Sequence, residues 1–284
     1  MNPAVPVCTK LRRARAQGRV IASGVLAEDS PMRVKGLGLE YEDLRQYVYG
    51  DDSRYIDWRA SARTGLERLY VKEFRAERES RLLWLVDLTA SMGFKDKLES
   101  LVLVLTLHAE ASARLRDRVS AVVVSDRVET YEYTSSRLLL ERLLRQACRG
   151  ARGGLSLGEA LRAASSFGRG AYWAVYTDLS NKPEEYARLL EASKALGRGA
   201  LYFLFTREAD VSRIAETALV AAADRESGST GMVELAEAAR QARRHIARVR
   251  AAVGRRAVEL GSYEHAVERA PYVVEAYLRL RQGL

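Results

Sequence analysis

The chain has 284 residues, 48% apolar and 29% charged, which suits a soluble globular protein with one large core or two modest ones. No uninterrupted apolar run approaches the ~20 residues of a membrane span, and the N-terminus lacks the apolar core of a signal peptide, so a cytoplasmic chain is expected. The net charge of +9 is uneven: residues 1–35 carry seven basic and two acidic side chains, residues 232–284 carry ten and six, and the middle is balanced. Basic ends could meet an acidic partner, nucleic acid or an anionic membrane, although a solvated face is the weightier reading. Three histidines and two cysteines, Cys8 and Cys148, leave little material for zinc or disulfide chemistry, and reduced thiols are the simpler expectation. Few amides (two Asn, five Gln) point toward a heat-adapted source, although only seven of the 46 basic residues are lysine.

In chain order, residues 8–20 read as a basic helix or tail and residues 22–31 as a linker. Residues 66–74 (LERLYVKEF) alternate as a strand does. From residue 82 the rhythm becomes strand, helix, strand, helix. Strands are predicted at 82–88, 119–125, 172–178, 200–206 and 217–223. Helices are predicted at 97–116, 136–149, 156–167 and 183–196. The run LVLVLTL inside 97–116 has strand character, but the length of the segment and its charged ends favour a buried helix. Residues 128–134 are placed to form an antiparallel partner for the strand before them. A long helix follows residue 231, and a last one runs from about 271 to 281. The division is a basic tail and linker (1–32), a β-rich segment (33–80), an α/β domain (81–231) and C-terminal helices packed on that domain (232–284). Alternating β and α elements imply a mostly parallel sheet with helices on both faces.

In such a sheet, ligands gather at the carboxyl ends of the strands. The first strand ends in VDLTASM, which sets Asp87, Thr89 and Ser91 at alternate positions. Asp178, in YTDLS, arrives at the same edge. The GGLSLGEAL segment (153–161) opens a helix that can face it. Oxygen ligands of this kind suit Mg²⁺ or Mn²⁺.

DLTAS resembles the D-x-S/T-x-S sequence of the metal-ion-dependent adhesion site in von Willebrand factor A domains. That resemblance implies ligation by Thr89 and Ser91, with Asp87 and Asp178 acting partly through water. The third loop of those domains supplies a threonine after Gly-Gly. Here Leu155 stands there, and a one-residue shift would bring in Ser156. The string GLGLEYEDLRQYVYGDDSRYIDWRASARTG (36–65), followed by YVKEF and DLTAS, closely resembles the domain of unknown function 58 family, whose members are von Willebrand A-like. DRESG (224–228) and the C-terminal helices also resemble that family. Its members are often encoded beside MoxR-type AAA+ ATPases, which implies an adaptor or co-chaperone role; other von Willebrand A proteins are further candidate partners.

Within the string, Asp51, Asp52, Arg54, Asp57 and Arg63 alternate in sign around Trp58. They are expected to form an ion-pair network anchored on that indole, structural in role or facing a partner. Asp87→Ala is expected to leave the fold intact. The chain has no phosphate-binding loop and no nucleophile–base pair, so a non-enzymatic binding module is the leading expectation. A metal-dependent phosphohydrolase or nuclease, and nucleic-acid binding through the basic ends, are the alternatives.

Overall fold

The computed structural model describes residues 6–27, 40–49, 51, 53, 56–65, 67–75, 80–207, 219–223 and 230–283. The chain divides into two compact units, one of residues 35–79 and one made of the sequence on either side of it. It enters as helix α1 (Val7–Val25). The smaller unit follows, with strand β1 (Glu40–Gln46), short helix α2 (Trp58–Ala62) and strand β2 (Tyr70–Arg75). Then come β3 (Arg81–Asp87), α3 (Lys97–Arg114), β4 (Arg118–Val124), β5 (Val128–Ser135), α4 (Ser136–Ala147), α5 (Leu157–Phe167), β6 (Tyr172–Thr177), α6 (Pro183–Leu196) and β7 (Ala200–Phe205). The chain closes with β8 (Leu219–Ala223), β9 (Thr230–Glu234), α7 (Leu235–Val253), β10 (Ala257–Leu260), α8 (Tyr263–Glu268) and α9 (Ala270–Gln282).

The main sheet runs β10-β7-β6-β3-β4-β5 and is parallel except for the β5 edge. Counted within the sheet this is the doubly wound order 3-2-1-4-5-6, the α/β architecture expected. In β3, Leu82, Leu83, Trp84, Leu85 and Val86 are all buried, because a central parallel strand has helices on both faces. The expected antiparallel partner is β5. The expected fifth strand is β8, but it pairs with β9 outside the main sheet. Its place beside β7 is taken by β10, four residues long and too short to stand out in the sequence.

The LVLVLTL run belongs to α3, which is packed by α1, α4, α8 and α9 as well as by β7. A helix covered on most sides must be apolar on most sides, which explains its strand-like composition. The basic N-terminal segment is no free tail, and its helix continues into the expected linker. Leu11, Ala14, Gly18, Ala22 and Val25 form the buried face of α1. A Cβ at Gly18 would stand 2.9 Å from Thr106 Cβ, so the two helices cross at a spacing that needs a residue without a side chain. This crossing brings Cys8 to Cys148, just beyond α4, and the two form a disulfide. The expectation of reduced thiols is therefore corrected. Sequence separation hid a pairing that helix packing creates.

The core also holds a polar knot. His108 on α3 stacks on Tyr277 of α9 with ring centres 4.0 Å apart. Its Nε2 lies 3.3 Å from the Val273 carbonyl, which can only accept, so Nδ1 accepts from the Tyr176 hydroxyl at 2.8 Å. Tyr277 OH in turn accepts from Trp84 Nε1 at 2.9 Å and meets Ser112 Oγ at 2.8 Å. Near the chain's end, Arg281 Nε donates to both oxygens of buried Asp117 at 3.0 and 2.8 Å. These bonds set α9 in one register against the sheet.

In the smaller unit, β1 and β2 are antiparallel. Asp57 caps α2 by accepting from the Arg59 and Ala60 amides. Asp51 accepts a two-pronged bond from Arg45 at 2.7 and 2.6 Å, which with the Val48 amide holds its carboxyl down to about 2. Arg63 is exposed at the end of α2. Trp58, the expected anchor, is 62% exposed at the first residue of a capped, single-turn helix. Asp52, Arg54 and the DRESG segment lie outside the described residues.

Two measurements test these packing arguments. Replacing Cys8 and Cys148 by serine, or reducing the bond, should lower the unfolding free energy by about 2–4 kcal/mol in urea titrations, because the bond restricts a long stretch of the unfolded chain. For His108, burial pushes the imidazole down to about 3, from an ordinary 6.5. The unfolded chain takes up the proton first, so this contribution is complete above pH 6.5 and is lost as pH falls from there toward 3. Relative to a His108→Gln variant, wild type should lose about 2 kcal/mol of stability between pH 7 and pH 5. An unchanged difference between the two would mean that His108 is protonated in the fold.

Candidate functional site

Two neighbouring parallel strands, β3 and β6, end in the same three-residue pattern, Asp87-Leu88-Thr89 and Asp178-Leu179-Ser180. Each folds as the same turn. Asp87 Oδ1 accepts from the Thr89 amide at 2.9 Å and the Thr89 hydroxyl at 2.6 Å. Asp178 Oδ1 accepts from the Ser180 amide at 2.9 Å and the Ser180 hydroxyl at 2.6 Å. The side chain bonds its own backbone two residues on, which lifts the chain off the strand and into a loop. The two loops then meet, with Thr89 Oγ1 3.2 Å from Ser91 Oγ and Ser91 Oγ 3.1 Å from Ser180 Oγ.

The structure therefore brings Asp87, Thr89, Ser91 and Asp178 into one cluster. Thr177, Ser180, Asn181 and Lys97 join it, and the sequence argument had singled out none of these. Thr177 Oγ1 donates to Asp87 Oδ2 at 2.7 Å, and Asn181 Nδ2 approaches the same oxygen at 3.4 Å. Lys97 Nζ, in the first turn of α3, donates to Asp178 Oδ2 at 2.7 Å and to the Ser91 carbonyl at 3.1 Å. The repeated Asp-Leu-hydroxyl pattern was a legible signal for Ser180. Lys97 carried none, since a lysine in a first helical turn reads as solvated.

The third loop contributes backbone. Gly153 has φ +78°, and a Cβ there would come 2.3 Å from the Asp126 amide nitrogen, so the position needs glycine. Its carbonyl accepts from Ala90 at 2.9 Å, while Arg152 N–H donates to Leu88 O at 2.9 Å. Leu155 is half-buried and packs against the core between the sheet and α5 to α7. Ser156 is the N-cap of α5, and its amide donates to Glu159 at 2.8 Å. No hydrogen bond joins the Ser156 hydroxyl to Asp87 or Asp178 among the described residues. Asn181 links the loops instead: its Oδ1 accepts from the Leu157 amide at 3.1 Å.

Below the hydroxyls the site is dry. Asp87, Thr89, Lys97 and Asp178 are each at most 2% exposed, whereas Ser91 is half-buried and Ser180 exposed. Burial raises the Asp87 carboxyl to about 6, with the Asp178 charge adding to the rise and bonds from Thr89 and Thr177 opposing it. Burial also pushes Asp178 upward, but Lys97 and Ser180 outweigh it and hold that carboxyl below its ordinary range.

This donor set does not fit a hard divalent cation. Both oxygens of each carboxylate already accept from protein donors. Among the described residues, no side-chain oxygen of the third loop bonds to either carboxylate. Among the described residues, no group of three or more His, Cys, Asp or Glu side chains is placed to hold a metal. The Lys97 ammonium already gives buried Asp178 a positive partner.

A family model described as a protein of unknown function, DUF58, matches residues 43–256. No curated protein matches the chain in sequence. Among solved structures, an aerotolerance-related membrane protein from Bacteroides fragilis, carrying multiple mutations to serines, aligns at 15% identity and a TM-score of 0.42 over 69% of this chain and 98% of that one. BatB from Bacteroides thetaiotaomicron, a conserved hypothetical protein, aligns at 16% identity and 0.39 over 70% and 99%. A von Willebrand factor type A protein from Catenulispora acidiphila aligns at 10% identity and 0.40 over 74% and 44%.

Asp87 is more deeply embedded than the sequence argument supposed. Asp87→Ala would leave the Thr89 amide and the Thr177 hydroxyl without their acceptor, at a cost of about 2–4 kcal/mol. Asp87→Asn keeps one acceptor oxygen and should cost about 1 kcal/mol. Urea unfolding of both variants tests this, and an unperturbed alanine variant would show that the turn holds without its carboxylate.

Proposed function

Because the chain belongs to the DUF58 family of proteins of unknown function, we propose that it works as a non-enzymatic protein-binding adaptor or co-chaperone for a MoxR-type AAA+ ATPase. It docks through the loops at the carboxyl edge of its sheet. The observation that carries this reading is the bonding of Asp87 and Asp178. Both carboxylates are buried, and all four of their oxygens accept from residues of the loops, the end of β6 and the start of α3. Such groups hold loops in shape; they are not poised to take a proton from a substrate. What the edge presents outward is a hydroxyl rim, Ser91 and Ser180, with Lys95, Arg152 and Lys182 on the flanking loops.

A rim of small hydroxyls with cations around it suits an acidic segment of a partner. ATP turnover belongs to that partner, which places the pair in the cytoplasm. No described helix is long and apolar enough to cross a membrane. The disulfide is compatible with that compartment in a heat-adapted cell, where intracellular disulfides persist.

Lys95 gives the sharpest test, since it is exposed on the first loop and takes no part in the buried cluster. Mixed with a MoxR-type ATPase, the wild-type chain should co-elute with it or change its ATP turnover. Lys95→Glu should weaken that association by about tenfold, or about 1.4 kcal/mol, with an unchanged melting temperature. If the wild-type chain neither co-elutes nor alters turnover in any nucleotide state, the adaptor reading fails.

A further inference from the structure

Lys97 occupies a position that ordinary helix physics disfavours. It is the first residue of α3, an 18-residue helix, so its ammonium lies at the positive end of the helix dipole. It is also only 1% exposed, and lysine is almost never buried so fully unless it is paired. Two unfavourable terms at one residue call for a compensating contact. Its side chain reaches the strand edge and bridges two loops, through Asp178 Oδ2 at 2.7 Å on one side and the Ser91 carbonyl at 3.1 Å on the other.

We propose that the Lys97 ammonium is the resident cation of this strand-end site, standing in for the divalent ion of a metal-ion-dependent adhesion site, so that the loops assemble without metal. Three observations converge on this. The ammonium joins the Asp-x-Thr-x-Ser loop to the Asp178 loop, the connection a bound ion would make between ligands of the two. In the third loop Leu155 packs against the core and Ser156 stands at the N-cap of α5, with no bond from its hydroxyl to either carboxylate among the described residues. The hydroxyl chain Thr89–Ser91–Ser180 is closed by protein bonds at each step, from Asp87 at one end to Asp178 at the other. The proposal is independent of any docking role for this face. It concerns how the loops are held, whatever they bind.

The test uses the full chain, stripped of metal by a chelator and titrated with MgCl₂ or MnCl₂ alone. Wild type should show no saturable binding at millimolar metal, and its melting temperature should be the same in chelator and in metal. Lys97→Met leaves two buried carboxylates with no cation. It should melt lower in chelator, recover most of that loss in millimolar Mg²⁺ or Mn²⁺, and bind the ion at least about tenfold more tightly than wild type. If Lys97→Met does not fold, the double variant Lys97→Met with Asp178→Asn, which removes both charges, should restore the fold. Submillimolar Mg²⁺ binding by wild type overturns the proposal. So does a Lys97→Met variant that melts like wild type or that neither ion rescues, and so does a double variant that fails to recover a fold lost in the single one.

Discussion

Two carboxylates cannot end adjacent strands in a dry interior unless hydrogen-bond donors and a positive charge come to meet them. Asp87 and Asp178 impose that condition here, and much of the local structure answers it. The two Asp-Leu-hydroxyl turns supply amides and hydroxyls from the loops themselves. Thr177 supplies a hydroxyl from the end of β6. α3 begins where its first residue can deliver an ammonium. Asn181 ties the Asp87 site to the start of α5, and Tyr186 on α6 donates to the Asp178 carbonyl at 2.6 Å. Helices from both layers are thus fastened to one edge of the sheet by bonds that converge on two side chains.

A second set of polar contacts acts on the same sheet away from that edge. His108 bonds Tyr176, Tyr277 bonds Trp84 and Ser112, and the His108 and Tyr277 rings stack, so these buried groups join α3, β6, β3 and α9. Apolar packing alone would tolerate a sliding α9. Directional bonds to Tyr277 and to the Val273 carbonyl do not, since any shift leaves a buried donor or acceptor without its partner. The Arg281–Asp117 pair fixes the far end of α9 in the same way. The C-terminal helices are therefore part of the sheet domain in energetic terms.

The sequence revealed most clearly what depends on runs of residue type. The buried strands β3, β4, β6 and β7 are continuous apolar segments, and their alternation with helices gave the architecture. Asp87, Thr89, Ser91 and Asp178 were legible because carboxylates and hydroxyls at strand ends are out of place unless something uses them. What depends on packing between distant segments was not legible. β10 is recognisable only beside β7. The Cys8–Cys148 bond needs α1 laid across α3 by Gly18. Leu155 packs against the core beyond the turn that Gly153 fixes, and Ser156 stands at the N-cap of α5. Lys97 looked like an ordinary surface lysine, since nothing in a sequence shows that a side chain turns back toward a strand edge.

The disulfide also sets how the chain carries tension. Cys8 and Cys148 are 140 residues apart in sequence but covalently joined. A force applied between the two termini passes across this bond and bypasses everything between them. β3, β4, β5 and α3 lie inside the bypassed loop, whereas β6, β7 and β10 lie on the loaded path. The boundary runs between β3 and β6, the two strands that carry the paired Asp turns. The Lys97–Asp178 contact crosses it, with the lysine on the slack side and the aspartate on the taut side. Under tension between the termini, the seam that carries the site is where the loaded and unloaded halves of the sheet meet.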